Sequence, residues 1–216
     1  MSTMTMGQEP RPLFRGTLHL VAALLAVAGT VVLLIVAGSP SAYVGGGVFA
    51  ASLMLLYGTS ASYHQVPWRP AWRRGVMRVD HAMIFVLIAG TYTPFCLDVS
   101  LVWGIPMLSV VWSLTGAGVV MKLVWPDGPR WLSVALYVGL GWIAVIGAPE
   151  VLGSYSPPPV ALLVGGGAAY TIGGIIYALR RPNPWPRYFG YHEVFHALVV
   201  AGSALHYTAI AVYVLR

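Results

Sequence analysis

Two histidines, His192 and His196, stand four residues apart near the end of the sequence. On a helix this spacing puts both side chains on one face, about 6 Å apart along the axis. Two imidazoles so placed can hold one metal ion. Two further helices are expected to bring polar side chains to a similar depth. One carries His64, with Ser60 one turn from it, and the other carries Asp80. Three histidines with an open fourth position are typical of a catalytic zinc site, so the spacing favours Zn²⁺ here.

The string from His192 to His196 also reads HExxH, the zincin pattern, in which Glu193 would be the general base of a metalloprotease. The metzincin continuation requires a glycine and then a histidine, but Val199 and Gly202 stand at those positions. No acidic residue follows Glu193 to serve as a downstream ligand. Proteolysis is therefore a minor alternative, and Glu193 is expected to face lipid headgroups or to neighbour the metal ligands.

The other three histidines are not expected to bind the metal. His19 is expected to contact lipid headgroups. His81 points about 100° away from Asp80 on the same helix and is expected to neighbour the metal ligands or to contact headgroups. His206 is about 21 Å along the helix axis from His192, too far to share its metal. A hydrogen bond from His206 to a neighbouring helix is favoured over a proton-relay role.

The amino-acid composition indicates that these side chains belong to a membrane protein. Of the 216 residues, 58% are hydrophobic and 8% are charged, whereas roughly 25% are charged in soluble domains. The mean hydropathy of +0.76 agrees, and it excludes a soluble enzyme, a disordered chain and a secreted disulfide scaffold. The single cysteine, Cys96, excludes an internal disulfide and a multi-cysteine metal site. Scattered basic residues form no face for nucleic acid.

Seven apolar stretches approach the roughly 20 residues that a membrane-spanning helix needs. They predict an all-α membrane protein, a seven-helix bundle in a single domain over residues 17–215, preceded by a tail over residues 1–16. The fifth stretch is the most marginal in length. The stretches are Thr17–Ala37, Tyr43–His64, Val79–Leu97, Leu101–Leu123, Trp131–Ala148, Pro159–Leu179 and His192–Leu215.

The basic residues predict the orientation of this bundle. Eleven of the twelve lysines and arginines fall before the first stretch or in the second-to-third, fourth-to-fifth and sixth-to-seventh connections, and only Arg216 falls opposite. By the positive-inside rule the N-terminal tail is cytoplasmic and the C-terminus lies outside. On this orientation the three histidines approach the cytoplasmic surface. The excess positive charge is therefore a topology signal.

Three blocks of this sequence resemble the hemolysin III branch of the progestin and adipoQ receptor (PAQR) family, which shares a superfamily with the alkaline ceramidases. The blocks are Ser60–His64, Asp80–His81 running into Ala89–Pro94, and His192–His196. They follow one another on the expected helices, so the resemblance extends over nearly the whole chain. It implies a seven-helix fold in the bacterial cell membrane, with zinc near the cytoplasmic leaflet.

Carried over residue by residue, the resemblance puts the zinc ligands on His64, His192 and His196, the carboxylate beside the metal-bound water on Asp80, and the family's serine on Ser60. None of these five positions departs from the family pattern. The resemblance also implies hydrolysis of a lipid amide in better-understood relatives, and a role in membrane lipid homeostasis in bacterial members.

The leading hypothesis is a zinc-dependent hydrolase of a membrane lipid that enters laterally between helices. Asp80 would accept a proton from water, and Ser60 would hydrogen-bond the substrate carbonyl or the intermediate. One alternative is a non-enzymatic sensor or receptor with structural zinc, in which Asp80 is a direct fourth ligand. The other is a pore-forming protein, as the family's haemolytic name suggests.

Overall fold

The computed structural model describes residues 12–216, and within this range the chain is helical. The described residues form no strand, and an isolated bridge joins Trp185 to Phe189. The helices are α1 (Thr17–Val36), α2 (Pro40–Gln65), α3 (Pro70–Asp98), α4 (Leu101–Val124), α5 (Arg130–Trp142), α6 (Ala148–Ser154), α7 (Pro157–Leu179) and α8 (Tyr191–Ala209), which continues as a π-helical turn, Ile210–Val214.

Proline and serine define where several of these helices begin. Pro40, Pro70 and Pro157 each stand in the first turn, where the missing amide proton has no intrahelical partner to lose. The Ser39 side chain accepts a hydrogen bond from Ala42 N at 3.1 Å and so caps α2. α2 and α7 start within three residues of the predicted stretches, whereas α3 starts at Pro70, nine residues before the predicted Val79.

Within residues 12–216, six helices are long and apolar enough to cross a membrane, while the predicted fifth span is bent near its end. The turn Ile143–Val145 follows α5, and the helix axis bends by 52° between the two pieces. Pro149 opens α6 because its fixed backbone angle suits a first helical turn. The described residues therefore contain six to seven candidate spans, and they match the expected seven if this bent pair counts as one.

Tyr92, on the neighbouring helix α3, hydrogen-bonds the backbone where α5 ends. Its hydroxyl donates to Gly141 O at 2.7 Å and accepts from Ala144 N at 2.6 Å. Backbone groups that leave a helix inside a membrane must find partners within the protein. The tyrosine hydroxyl supplies such partners on both sides of the turn.

Buried apolar side chains form two clusters. The larger joins mainly α1, α2 and α8 around Leu33, Phe49 and Ile210, and the smaller joins α3, α4 and α5 around Phe85 and Val111. Many large apolar side chains on the outer helix faces are exposed, which suits contact with lipid. The chain is therefore built as a membrane bundle, and a cavity lies between the helices.

The segment just before α1 lies against the connection between α7 and α8. Leu13 N donates to Arg187 O at 3.0 Å, and Phe14 N donates to Tyr188 O at 3.3 Å. Residues 1–11 of the predicted tail lie outside the described residues. The described part of the tail therefore packs on the same end of the bundle as the start of α8.

Candidate metal centre and lipid cavity

Three histidines from two helices meet at one end of the bundle. His64 lies in the last turn of α2, and His192 and His196 lie in the first two turns of α8. One side-chain nitrogen from each lies within 4.8 Å of the other two, and the Nε2 atoms of His64 and His192 are 3.2 Å apart. The structure therefore brings the three predicted ligands together in an arrangement that can bind a metal ion.

Burial and ring packing also suit a metal centre. His64 and His196 are 8% and 3% exposed, and the rings of His192 and His196 are 4.5 Å apart between centroids. Among residues 12–216, His196 Nδ1 is buried and has no hydrogen-bond partner. A buried polar nitrogen without a partner is unfavourable by about 1–3 kcal/mol, so this donor set fits a site that is completed by a cation.

His19 belongs to this cluster, which sequence reasoning missed. It is 3% exposed, and its ring stacks on that of His196 with centroids 3.6 Å apart and planes 8° apart. Its Nδ1 lies 2.8 Å from Ser60 Oγ. The expected headgroup contact is therefore wrong. The available signal was the position of His19 at the same end of its span as His64 in the next one.

Ser60 and Asp80 lie beside the three histidines. Ser60 is 2% exposed, one turn from His64, and its hydroxyl is within hydrogen-bonding reach of the Asp80 carboxyl. Asp80 is 8% exposed, and no lysine or arginine of the described residues lies within 4.0 Å of it. The side chains that lie close enough together to bind one metal ion are the three histidines alone, and the Asp80 carboxyl is not among them. A buried carboxyl without an ionic partner is typical of a group that exchanges protons.

Glu193 holds the start of α8. It is 1% exposed, so the expected contact with headgroups is wrong. One carboxylate oxygen forms an ion pair with Arg15 Nε, and the other accepts from Gly190 N at 2.8 Å. This is a capping arrangement for the turn that carries His192. Both oxygens are engaged in holding the helix end, which is a structural role rather than that of a zincin base.

Gly16 packs directly against the helix end that carries His64. Its φ of +83° is in the left-handed region, and a side chain at this position would collide with the His64 Cβ atom. Beside it, Gln65 Nε2 donates to Arg15 O at 2.9 Å. The segment before α1 therefore supports the last turn of α2 as well as the first turn of α8.

A cavity of about 570 Å³ opens beside the three histidines. It extends along α3 from Asp80 to Phe95, which corresponds to about 22 Å of helix. Ser60, His192 and His196 line the same end as Asp80, and most other lining side chains are apolar or aromatic. A long apolar chamber with convergent polar groups at one end is the usual form of a ligand site.

Two basic side chains line this cavity near its polar end. Lys122 is 4% exposed and donates to the Ser133 hydroxyl, while the Arg130 guanidinium lies 4.8 Å from the centre of the Tyr177 ring. Within the described part of the chain neither has a carboxylate within 4.0 Å. Both are near His81, whose side chain also lines the cavity. The polar end therefore carries two basic side chains that form no ion pair with an acidic residue of the described chain.

His206 has the role predicted for it. Its Nε2 lies 3.1 Å from Leu163 O, and since a carbonyl only accepts, that nitrogen carries the proton. Its ring meets Tyr170 edge-on, with centroids 5.4 Å apart. The expected hydrogen bond between α8 and α7 is confirmed.

The fold and the site define a multi-pass helical membrane protein with a three-histidine centre at the polar end of an internal cavity. A family model described as "Haemolysin-III related" matches residues 8–207. This chain belongs to the haemolysin-III-related family.

Two bacterial relatives match almost end to end. The protein named "Hemolysin-3 homolog" of Bacillus subtilis (strain 168) is 32% identical over 203 residues, which span 92% of each chain. The "Hemolysin-3" of Bacillus cereus is 29% identical over 203 residues, spanning 91% of this chain and 89% of that one. The resemblance to hemolysin III read from the sequence blocks is confirmed.

The PAQR relationship is more distant. The "Heptahelical transmembrane protein ADIPOR1" of Oryza sativa subsp. japonica is 28% identical over 156 residues, covering 64% of this chain and 41% of that protein. The match to plant heptahelical proteins agrees with the wider family relationship inferred from the motifs.

Proposed function

We propose that this protein is a zinc-dependent hydrolase that cleaves an amide bond of a membrane lipid, with His64, His192 and His196 as the zinc ligands. The observation that carries the proposal is the position of the three histidines at the polar end of an apolar cavity of about 570 Å³. Asp80 and Ser60 line that same end. A metal centre, a proton acceptor and an apolar chamber are what lipid hydrolysis requires.

Zinc suits this donor set because imidazole nitrogens are among its usual ligands, and three of them leave a fourth position open. When bound in such a site, zinc polarises a carbonyl and lowers the pKa of water to about 7. The separation of Asp80 from the group of ligand nitrogens supports an open site over the closed site of a structural zinc.

Asp80 is the proton carrier in this proposal. Water adds to the amide carbon and forms the new C–O bond, and its proton passes to an Asp80 carboxylate oxygen. The same proton then moves to the amide nitrogen as the C–N bond breaks, so that an amine leaves. The second water proton is lost as the carboxylic acid ionises. Asp80 returns to its ionised form, and one water is consumed for each amide.

Ser60 and His19 orient the reacting groups. The Ser60 hydroxyl is proposed to donate to the substrate carbonyl oxygen, where negative charge develops. His19, whose Nδ1 lies 2.8 Å from Ser60 Oγ, holds that hydroxyl in place. The His19 ring is held in turn by its stack on the ring of His196.

The cavity favours a substrate with a long acyl chain. Its apolar part accepts the chain, and Lys122 and Arg130 compensate the carboxylate that hydrolysis releases. Because no acidic residue of the described chain pairs with either cation, a substrate-derived anion is the natural partner. We further propose that the lipid enters laterally from the membrane, that the N-terminus is cytoplasmic, and that the reaction adjusts membrane lipid composition.

A pore, the activity that the names of the Bacillus relatives suggest, is supported less well. The cavity lining is largely apolar, and few charged groups lie along it away from the polar end. An ion-conducting path needs charged groups or backbone dipoles along its length.

The experiment is hydrolysis of a fluorescent N-acyl sphingoid base by purified protein in nanodiscs, with zinc content measured on the same samples. Asp80→Asn is expected to keep zinc and to lose turnover by about 10²–10⁴-fold. His81→Gln, beside Asp80, is the matched control and is expected to retain most of the turnover. Full activity of Asp80→Asn would contradict the proton-carrier role, and an inactive, zinc-loaded wild type would contradict amide hydrolysis of this substrate class.

A further inference from the structure

A second cavity lies on the outer face of the bundle, between α2 and α3, near the end that holds the three histidines. Its volume is about 610 Å³. Gly58 and Ser62 line it from α2, Trp72, Gly75 and Val79 from α3, and Trp68 from the connection between them. We call this cavity the α2–α3 groove. None of these residues belongs to the metal centre or to the internal cavity.

Two glycines keep the groove open. A Cβ atom added at Gly58 or at Gly75 would have no neighbouring atom within 4 Å. Some other glycines of the bundle allow close packing, as at Gly45, where an added Cβ would lie 2.7 Å from the Cα of Pro94, while others, such as Gly47, are open like these two. Gly58 and Gly75 therefore leave space for a molecule outside the chain instead of bringing two helices together.

The start of α3, which contributes one arginine to the groove lining, is positively charged. Arg69, Arg73, Arg74 and Arg78 follow one another at the start of α3, and no acidic residue stands between positions 66 and 79. Within residues 12–216 none of the four has a carboxylate within 4.0 Å. Arg78 lines the groove, and its Nε is buried and without a hydrogen-bond partner among the described residues. An anion is the complementary partner.

Two tryptophans put the mouth of the groove at the level of lipid headgroups. Trp72 is 67% exposed, and Trp68 Nε1 donates to Ser62 O at 3.0 Å. Indole side chains are enriched at the membrane–water interface. From Trp72 to Val79 the groove descends about 10 Å along α3 toward the apolar part of the bilayer.

We propose that the α2–α3 groove binds one anionic phospholipid. Its phosphate contacts Arg78, and one acyl chain lies over Gly58 and Gly75. A soluble anion would leave the apolar floor uncovered. A second copy of this chain would bring an equally positive start of α3 against the first in a two-fold contact, which is unfavourable. The proposal does not depend on any hydrolase activity.

The test is native mass spectrometry of the protein released from micelles that contain equal amounts of dioleoyl phosphatidylglycerol and dioleoyl phosphatidylcholine. The wild type is expected to retain one phosphatidylglycerol at least fivefold more often than phosphatidylcholine. Gly58→Leu and Gly75→Leu each put a side chain into the groove, where the added Cβ has no neighbour within 4 Å, and are expected to abolish retention. Arg78→Gln is expected to remove the preference for phosphatidylglycerol.

Two controls match these variants. Gly139→Leu also adds a side chain where an added Cβ would meet nothing within 4 Å, but on α5, which contributes no residue to the groove lining. Arg216→Gln removes an arginine at the other end of the bundle. Both are expected to bind lipid as the wild type does, and circular dichroism checks that every variant is helical. Equal retention of the two lipids, unchanged retention in folded Gly58→Leu and Gly75→Leu, or a dimer that these variants dissociate would each overturn the proposal.

Discussion

The Glu193 carboxylate pairs with the Arg15 guanidinium, although 178 positions separate them in the sequence. The pair ties the segment before α1 to the first turn of α8. The next residue, Gly16, lies against His64 at the end of α2. One short segment thus contacts both helices that supply the histidines. We infer that Arg15 and Gly16 set the separation of the three histidines without binding a metal themselves.

Gly16→Ala is therefore expected to weaken zinc binding about tenfold. The left-handed backbone is unfavourable for alanine by about 1–2 kcal/mol, and the new methyl group collides with His64. Competition with a zinc chelator measures the affinity directly. Gly47→Ala adds a methyl group where nothing lies within 4 Å, and it is the matched control. Equal affinities for the two variants would show that Gly16 does not position the metal centre.

Glu193→Gln separates the structural role from the zincin alternative. Loss of the charge leaves Arg15 without its ionic partner and weakens the cap of α8, so the melting temperature is expected to fall. The folded fraction at low temperature is expected to keep its turnover within about threefold. A general base would behave differently, since its loss reduces turnover by about 10²–10⁴-fold. That larger reduction at an unchanged melting temperature would favour the zincin alternative.

His19→Phe tests the residue that sequence reasoning missed. A phenyl ring keeps the stack on His196 but cannot hydrogen-bond Ser60. Zinc content and melting temperature are expected to stay near those of the wild type, while turnover falls about tenfold as Ser60 loses its orientation. A zinc-free His19→Phe protein would instead make His19 a metal ligand.

The meeting of His64, His192 and His196 was predictable because local spacing and chain order define it. The four-residue spacing of His192 and His196 is a property of one helix, and alternating spans bring the end of α2 to the same depth. Chain order also puts His19 and Arg15 at this end of the bundle, but it does not predict their contacts. Their partners, His196 and Glu193, lie at the far end of the sequence, and no periodic pattern links the two regions.

The fold shows the same division between local and long-range information. Apolar length predicts the helices that cross the membrane, but it does not reveal that the fifth stretch breaks after Trp142. Near this point Tyr92, a residue of another helix, hydrogen-bonds Gly141 O and Ala144 N, a long-range contact that the local sequence does not reveal. The orientation of the bundle stays a prediction from the distribution of its basic residues.

Zinc content is the measurement that tests the central claim most directly. Wild-type protein is dialysed against a weak chelator, and its zinc is measured by inductively coupled plasma mass spectrometry. It is expected to retain one zinc per chain. His64→Ala and His192→Ala are expected to retain less than a tenth of that amount. His206→Gln, which changes a buried histidine of α8 away from the centre, is expected to keep its zinc. Stoichiometric zinc in folded His64→Ala and His192→Ala, or none in the wild type, would contradict a metal centre built on these three histidines.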